Sequence, residues 1–547
     1  MSINREIDPF KNPTINPHVN NAGWAILKTL KNYGVTTVFG IPGTHNLEFY
    51  RHLPELEIKA VTTRHEQGAG YSADGFAQVS GGVGVVITTS GPGLLNALSA
   101  MGNAYCESRP MIVLSPGVPT HQEGANVGIL HETKSTVGAS NSVALWSKRV
   151  RSASEAVQAI HDAFEVFRYG RPRPIHIEVP LGVLEGESDA TSSELEALEL
   201  RATQQAPESQ IKLAASLLAR AKAPAVVAGG GATRASVEIT ELVELIQAPI
   251  LTSLNGMGVV SERHHLSLGS EMRISSSIEL LNEADVVLLI GTKIGEAELW
   301  GNKFEPKGKV IRIDIEEGQL EVNWVPDVKL LGDARAVVQQ LTNELKTAEP
   351  KSEVSLTEIR NQIAQEVRTI APDLVEISEV ISSCLPSDTV VTGDSSQISY
   401  FGMASVFKAS GPNQFLYTPT YATLGYGLSA AIGAKIANPE RKVVCVLGDG
   451  ALMFSIQEFA TAAEQRLDLT VIVVDNGGYG EIKNNEAALG ISPIGVDLVQ
   501  PNWKALIESF GGSGYRVTEK NQLPDLVAKA IAEPGVSLVH LPIELFD

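Results

Sequence analysis

Cysteine is scarce in this sequence: only Cys106, Cys384 and Cys445 occur, far apart, with no C-x-x-C pair and no histidine at ligand spacing. A disulfide framework and a thiolate zinc site are thereby excluded, and a reducing cytoplasm is the expected compartment. Positive charge is also in deficit, with 43 Lys and Arg against 63 Asp and Glu and a formal net charge of -20. That sign opposes the neutralisation of phosphates along a nucleic acid, so no nucleic-acid partner is expected. Long apolar runs are missing too. Stretches such as Val286 to Ile290 fall far short of the ~20 residues that span a bilayer, and Met1-Ser2-Ile3-Asn4-Arg5-Glu6 offers no apolar export core, so no membrane association is expected. The 49 glycines sit mostly as isolated punctuation and 43% of residues are hydrophobic, which excludes collagen-like, coiled-coil and largely disordered classes. A chain of 547 residues exceeds what one hydrophobic core organises, and roughly three or four globular units are expected.

From about Val19 to Pro180, short β-branched runs alternate with helical patterns: Val83 to Thr88 reads as strand, Leu94 to Cys106 as helix, Met111 to Leu114 as strand. Glu185 to Glu208 is polar and without strand signal, a linker or surface helix, which places a boundary near residue 190. A second α/β unit follows, with buried-type strands at Ala225 to Ala228, Val286 to Ile290 and Val310 to Ile315. Lys346 to Thr357, which contains Pro350, is the next linker. The third unit carries strands at Thr389 to Thr392, Val443 to Leu447, Thr470 to Val474 and Ser537 to Leu541. The expected fold class is therefore α/β, with three doubly wound parallel-sheet domains over residues 1–190, 191–350 and 351–547. The first and third units have similar size and alternation, which by itself is no sign of duplication.

The sharpest chemical signal is Val443-Val444-Cys445-Val446-Leu447-Gly448-Asp449-Gly450, a strand running into a Gly-Asp-Gly turn, with helix expected from about Ser455. A second strand ends at Asp475-Asn476-Gly477-Gly478. Neighbouring strands of a parallel sheet end on one edge, so Asp449 and Asn476 converge although far apart in sequence. A carboxylate oxygen with an amide oxygen suits a hard divalent ion that completes its shell with water and phosphate. Glycines let backbone N–H groups approach a diphosphate, and the following helix adds its positive end. Either fragment alone is an ordinary turn. Together, both at strand ends, they read as a metal–diphosphate site.

With Gly40-Ile41-Pro42-Gly43, Arg64-His65-Glu66-Gln67, Thr88-Thr89-Ser90-Gly91-Pro92-Gly93 and Thr423-Leu424-Gly425-Tyr426-Gly427-Leu428 in the same order, the chain resembles the thiamine diphosphate-dependent decarboxylase and acetolactate synthase superfamily over nearly its whole length. The resemblance implies a pyrimidine-binding first domain, a central domain and a diphosphate-binding third domain. It implies thiamine diphosphate with Mg2+ or another divalent ion, the metal being held by Asp449, Asn476 and Gly478. Glu66 would bond the cofactor's aminopyrimidine ring and Leu424 would hold the cofactor bent. Pro42, Gly448, Gly450, Ala451, Tyr479 and Gly480 would line its site, while Ser395, Ser396 and Gln397 would meet the diphosphate from the opposite side. One departure is Asp475, where many members carry Asn.

Near the reacting carbon, the resemblance points to Thr44, His45 and His131 as catalytic, and to Thr89, Leu130, Glu481, Ile482 and Asn485 as substrate pocket. His131 stands where acetolactate synthases carry Gln, and Glu132 replaces the second His of pyruvate-type decarboxylases. Glu481 replaces an apolar residue. A carboxylate lining a dry cleft implies a cationic substrate tail, although exposure to solvent or a pair with Lys483 or Arg173 is a competing account. The segments Gly40 to Leu47, Ile129 to Glu132 and Tyr479 to Ile482 look closest to 2-ketoarginine (5-guanidino-2-oxopentanoate) decarboxylases, which release an aldehyde and CO2 from a small 2-oxo acid. Alternatives are an acetolactate synthase-like carboligase, a benzoylformate- or pyruvate-type decarboxylase, or an inactive regulatory homologue. A dinucleotide oxidoreductase is disfavoured because no G-x-G-x-x-G precedes an acidic residue at the required distance. Ser267-Leu268-Gly269-Ser270-Glu271-Met272 lacks the Gly-Met-His-Gly pattern of flavin-binding members, so FAD is not expected. The superfamily assembles as homodimers or homotetramers with the active site between subunits.

Overall fold

The computed structural model describes residues 18–346 and 351–546; the opening six residues read for an export core, and Pro350 of the second linker, lie outside them. Three all-parallel sheets follow one another along the chain. The first contains β1 (Thr37–Gly40), β2 (Lys59–Thr62), β3 (Gly84–Ile87), β4 (Met111–Gly117), β5 (Trp146–Arg149) and β6 (Pro174–Pro180), in the order β2-β1-β3-β4-β6-β5. The central sheet holds β7 (Pro224–Ala228), β8 (Ile250–Thr252), β9 (Val286–Ile290), β10 (Lys309–Asp314) and β11 (Val328–Leu331), ordered β11-β10-β9-β7-β8. The third has β12 (Val390–Gly393), β13 (Phe415–Leu416), β14 (Val443–Gly448), β15 (Leu469–Asp475), β16 (Ser513–Arg516) and β17 (Val536–Pro542), ordered β13-β12-β14-β15-β17-β16. The first and third sheets thus share one strand order. Central strands such as Val443–Gly448 read as continuous apolar runs because helices cover both sheet faces.

The order reverses between β1 and β3, between β7 and β9, and between β12 and β14, and the crevice outside the carboxyl ends at such a switch is where open α/β sheets bind ligands. Gly40 and Ile87 pair at the end of β1 and β3, so the Gly40–Gly43 and Thr88–Gly93 loops emerge side by side. Gly393 pairs with Val446, and Gly448 with Val474, which brings the loops after β12, β14 and β15 to one edge.

The first and third units meet through the helix Glu66–Ser80 packed on the helix Tyr426–Ala437. The approach is as close as backbone allows: a Cβ on Gly433 would collide with the Ser72 carbonyl, and one on Gly75 with the Ala430 carbonyl. Tyr71 and Thr423 hydroxyls bond at 2.6 Å, and Gln78 Nε2 donates to the Tyr426 hydroxyl at 2.8 Å across the same seam.

Two boundary segments are settled by their packing, the first as the linker alternative. Residues 187–201 form no helix and are laid along the first unit, with Leu195 buried among Ala22, Ala25 and Val157 and its carbonyl accepting from Asn32 Nδ2 at 2.9 Å. The helix Thr357–Ile370 packs Ile363 and Val367 into the core of the central unit, and Arg360 donates to the Ser267 carbonyl. No helix of the described residues is long and apolar enough to cross a membrane. Replacement of Gly433 by Ala forces the helix seam apart, and overpacking of this kind costs about 1–3 kcal/mol; a thermal unfolding scan is expected to show a lowered Tm, and an unchanged Tm would contradict this packing.

Candidate functional site

The third sheet carries most of the site. After β12, Asp394 is fully buried and accepts from Ser395 N at 2.8 Å, Gly425 N at 3.1 Å and Gly427 N at 2.8 Å. Burial pushes its carboxyl up to about 7 even though these backbone donors pull the other way. The bonds fasten the Leu424–Gly427 turn to the end of β12. Next door, the Ser396 hydroxyl accepts from Gly448 N at 3.0 Å, which ties the Ser395–Gln397 loop to the start of Gly448-Asp449-Gly450.

Asp449 opens a one-turn helix, Asp449–Leu452, and the longer helix begins at Glu458 instead of the expected Ser455. The Asp449 side chain is 1% exposed, and burial together with the neighbouring Asp475 charge pushes its carboxyl up to about 6. The Asn476 amide ends 3.2 Å from Asp449 Oδ1 and 2.9 Å from the Gly478 carbonyl oxygen. With the amide oxygen there, three oxygens face one another with no proton among them; with the NH2 group there, the amide donates to both. Asp449 Oδ2 accepts from Gln500 Nε2 at 2.6 Å. Gly478 adopts φ +149, and a Cβ there would strike the Val496 carbonyl, so only glycine lets its own carbonyl take this place.

Among the described residues, no group of three or more His, Cys, Asp or Glu side chains could hold a metal, so a metal seat here would need other ligands beside such side chains. The set of one carboxylate, one amide and one carbonyl fits a hard divalent cation that takes its remaining ligands from phosphate and water. Ala451 and Gly450 follow Asp449 on the same turn, and a Cβ on Gly450 would press on the Tyr479 ring at 2.8 Å. Gly480 lies against the Asn476 amide and Gln397, closing the ring of loops.

Asp475 does not enter this cluster. Burial opposes its charge, but donors prevail and hold it below the usual carboxylate range: His540 Nε2 at 2.8 Å, Gly477 N at 3.0 Å and Trp503 Nε1 at 3.3 Å.

The first unit supplies a second group. Glu66 starts the helix Glu66–Ser80 and is 7% exposed, with Oε2 accepting from Asn96 Nδ2 at 3.0 Å. Burial and the Glu66 charge both raise the Tyr50 phenol. The Thr89 side chain lies against Gly43 and Gly93, and Glu66 Oε1 lies beside Gly93 as well. Thr44 and Pro42 are exposed on the preceding loop, and Leu130 is exposed next to His131. Ser90 Oγ bonds His45 Nδ1 at 2.6 Å and His131 Nδ1 at 3.1 Å. Glu132 accepts from Val127 N and Gly128 N and so shapes the loop that bears His131. Among the described residues, no hydrogen bond or ion pair joins Glu66 to Asp449 or Asn476.

On the third unit, Glu481 Oε2 accepts from Gln397 Nε2 at 2.9 Å and from the Tyr400 hydroxyl at 3.2 Å. The competing ion pairs are not made: Lys483 pairs with Asp497 at 2.7 Å, and Arg173 sits over the Tyr105 ring and donates to the Tyr105 carbonyl at 2.8 Å. Glu481 is only partly exposed, and no ion pair to it exists among the described residues. Ile482 and Asn485, on the same helix, are exposed. Sequence reasoning missed Ser90 as a functional group, along with Asn96, Tyr400 and Gln500. Ser90 was visible inside the Thr88–Gly93 loop, whereas the other three depend on contacts between distant segments.

Sequence profiles of the thiamine pyrophosphate enzymes match the chain in three places: the N-terminal TPP binding domain over residues 20–140, the central domain over 211–341 and the C-terminal TPP binding domain over 397–541. The chain belongs to the thiamine pyrophosphate enzymes. Its three parallel-sheet units correspond to the three domains of that family, the first and third being the cofactor-binding ones. A protein described as a probable 2-ketoarginine decarboxylase of Pseudomonas aeruginosa is 35% identical, across 95% of this chain and 93% of its own length. A probable acetolactate synthase large subunit of Methanocaldococcus jannaschii is 31% identical over 95% of this chain and 91% of its own. The acetolactate synthase isozyme 1 large subunit of Escherichia coli is 30% identical over 95% and 93%.

If Asp449, Asn476 and Gly478 hold the cation, Asp449→Ala lowers Mg2+-dependent affinity for thiamine diphosphate by more than the roughly 10- to 100-fold that loss of a ligand's outer partner costs. Isothermal titration should show this, and chelation with EDTA should mimic it in the unaltered protein; equal affinity in the variant would contradict the assignment.

Proposed function

We propose that the protein decarboxylates a 2-oxo acid with a cationic tail, 5-guanidino-2-oxopentanoate, to 4-guanidinobutanal and CO2, using thiamine diphosphate and a divalent cation. Bound thiamine diphosphate supplies an electron sink for the carbon–carbon bond that breaks beside the carbonyl. Asp449, Asn476 and Gly478 would seat the cation, the Ser395–Gln397 and Gly448–Ala451 loops with Tyr479 and Gly480 would surround the diphosphate, and Leu424, on the turn fastened by Asp394, would support the cofactor. Glu66 would bond the aminopyrimidine and hold a proton beside it.

The observation that carries the substrate assignment is Glu481, a carboxylate bonded by the neutral donors Gln397 and Tyr400. A partly desolvated carboxylate without a cation is unfavourable, and a guanidinium fills the gap with planar, charge-assisted hydrogen bonds. The Trp300 ring stands 5.6 Å from that of Tyr400, and Trp300 and Phe401 already hold the Arg273 guanidinium at 4.9 and 5.4 Å. The likeness to the Pseudomonas protein points to the same substrate class.

A carboligase, joining two 2-oxo acids, is the second reading, favoured by the identity to acetolactate synthases. Glu66 and the Asp449 cluster share no hydrogen bond or ion pair within one chain, and the working form in this reading is a homodimer or homotetramer in which two copies complete each site.

Removing one member of a desolvated charge pair costs about 2–5 kcal/mol, so Glu481→Leu is expected to lower kcat/KM for the guanidino acid by roughly 30-fold or more while pyruvate turnover changes little. A panel of 2-oxo acids, scored for CO2 and for aldehyde against acetolactate, tests this. Equal losses on both substrates contradict the tail assignment, and acetolactate as the main product from pyruvate establishes the second reading.

A further inference from the structure

Two imidazoles flank one buried hydroxyl on the first unit. His45 Nδ1 lies 2.6 Å from Ser90 Oγ, His131 Nδ1 lies 3.1 Å from the same atom, and the two rings stand edge to face with centroids 5.1 Å apart. Ser90 is 2% exposed, and among the described residues these two ring nitrogens are the hydrogen-bond partners of its hydroxyl. A hydroxyl owns one proton. If it accepted from both Nδ1 atoms, that proton would be buried without an acceptor, at a cost of about 1–3 kcal/mol. It must therefore donate to one Nδ1 and accept from the other. One neutral imidazole then carries its proton on Nδ1 and shows a bare Nε2, while its partner has a bare Nδ1 and shows Nε2–H.

We infer that Ser90 holds His45 and His131 in opposite tautomers and hands a proton between them, so that the pair forms a proton shuttle for the carbon that loses its carboxylate. When the imidazole with Nε2–H gives that proton to the carbon, its Nδ1 takes the Ser90 proton, Ser90 takes the Nδ1 proton of the other imidazole, and that ring takes a proton from solvent at Nε2. One solvent proton enters, one C–H bond forms and no net charge develops on the pair. The chain then points the other way, and uptake of a proton at the first Nε2 with release from the second restores it.

Several features hold the three groups in line. Gly91, next to Ser90, has φ +57, and a Cβ there would meet the His131 carbonyl. His131 itself sits at φ 62, an unfavourable backbone region that its surroundings must enforce. Burial, then the neighbouring His131 imidazole, lowers the His45 pKa, with Glu185 opposing, which favours the neutral His45 that the shuttle requires. Thr89, the residue before Ser90, packs between Gly43 and Gly93.

The inference rests on the decarboxylase reading, and two measurements separate them. Neutron diffraction from the unaltered protein crystallised in D2O at neutral pD should show a deuteron on Nδ1 of one of these two rings, none on Nδ1 of the other, and the Ser90 deuteron directed at the bare nitrogen. Deuterons on both Nδ1 atoms, or a Ser90 deuteron aimed elsewhere, overturn it whatever the enzyme's substrate. In solution, Ser90→Ala should lower kcat for aldehyde formation by a factor on the order of 10², the scale of a lost proton-transfer contribution, with KM unchanged, and Ser90→Thr should restore most of it. Undiminished kcat in Ser90→Ala also overturns the shuttle. Absence of aldehyde from any 2-oxo acid with the unaltered protein refutes the decarboxylase reading and with it the carbon-directed role, while the neutron result still decides the tautomers.

Discussion

A carboxylate that resists its own charge dominates the loop-bearing edge of the third sheet. Asp449 is almost fully buried, is pushed up to about 6 by burial and by Asp475, and shares its space with the Asn476 amide and the Gly478 carbonyl. In apolar surroundings such a group either keeps its proton or finds a cation. A divalent ion with a diphosphate would resolve the conflict on both sides, the ion neutralising the carboxylate and the phosphates completing its shell.

The scaffold brings this cluster together without long-range precision. Parallel strands ending on one edge place the loops after β12, β14 and β15 within reach, and Asp394 then ties the Leu424 turn to the same edge through main-chain donors. The shared strand order of the first and third sheets gives two crevices of the same kind, one bearing Glu66 and the histidines, the other bearing the oxygen cluster. Glycines at the helix seam allow the two units to approach to backbone contact, so both crevices are carried by units packed directly on one another. The central sheet has its own crevice, a cavity of about 280 Å3 lined by Gly230, Gly231, Lys293 and Arg109.

Much of this was legible in the chain, and the reason is local. Strands such as Val443–Gly448 announce themselves as β-branched runs buried on both faces, and the residues that follow them inherit a place at the edge whatever the remaining packing. Three doubly wound units and the convergence of Asp449 with Asn476 follow from that rule and from the family resemblance. The segment 187–201 was not legible, because its one apolar anchor, Leu195, is surrounded in sequence by polar residues and its docking depends on Asn32. The helix Thr357–Ile370 follows the second linker in sequence but packs on the preceding unit, which composition does not reveal. Partners such as Ser90 between two imidazoles, Asn96 on Glu66, or Tyr400 on Glu481 depend on contacts made only after folding, and no spacing rule encodes them.

Anomalous scattering from crystals grown with thiamine diphosphate and Mn2+ in place of Mg2+ tests the central claim most directly. A single manganese peak bonded to Asp449, the Asn476 amide oxygen, the Gly478 carbonyl and two diphosphate oxygens is the expected result. Cofactor density with the metal bound elsewhere, or with the Asn476 NH2 group still turned toward Asp449, would contradict it.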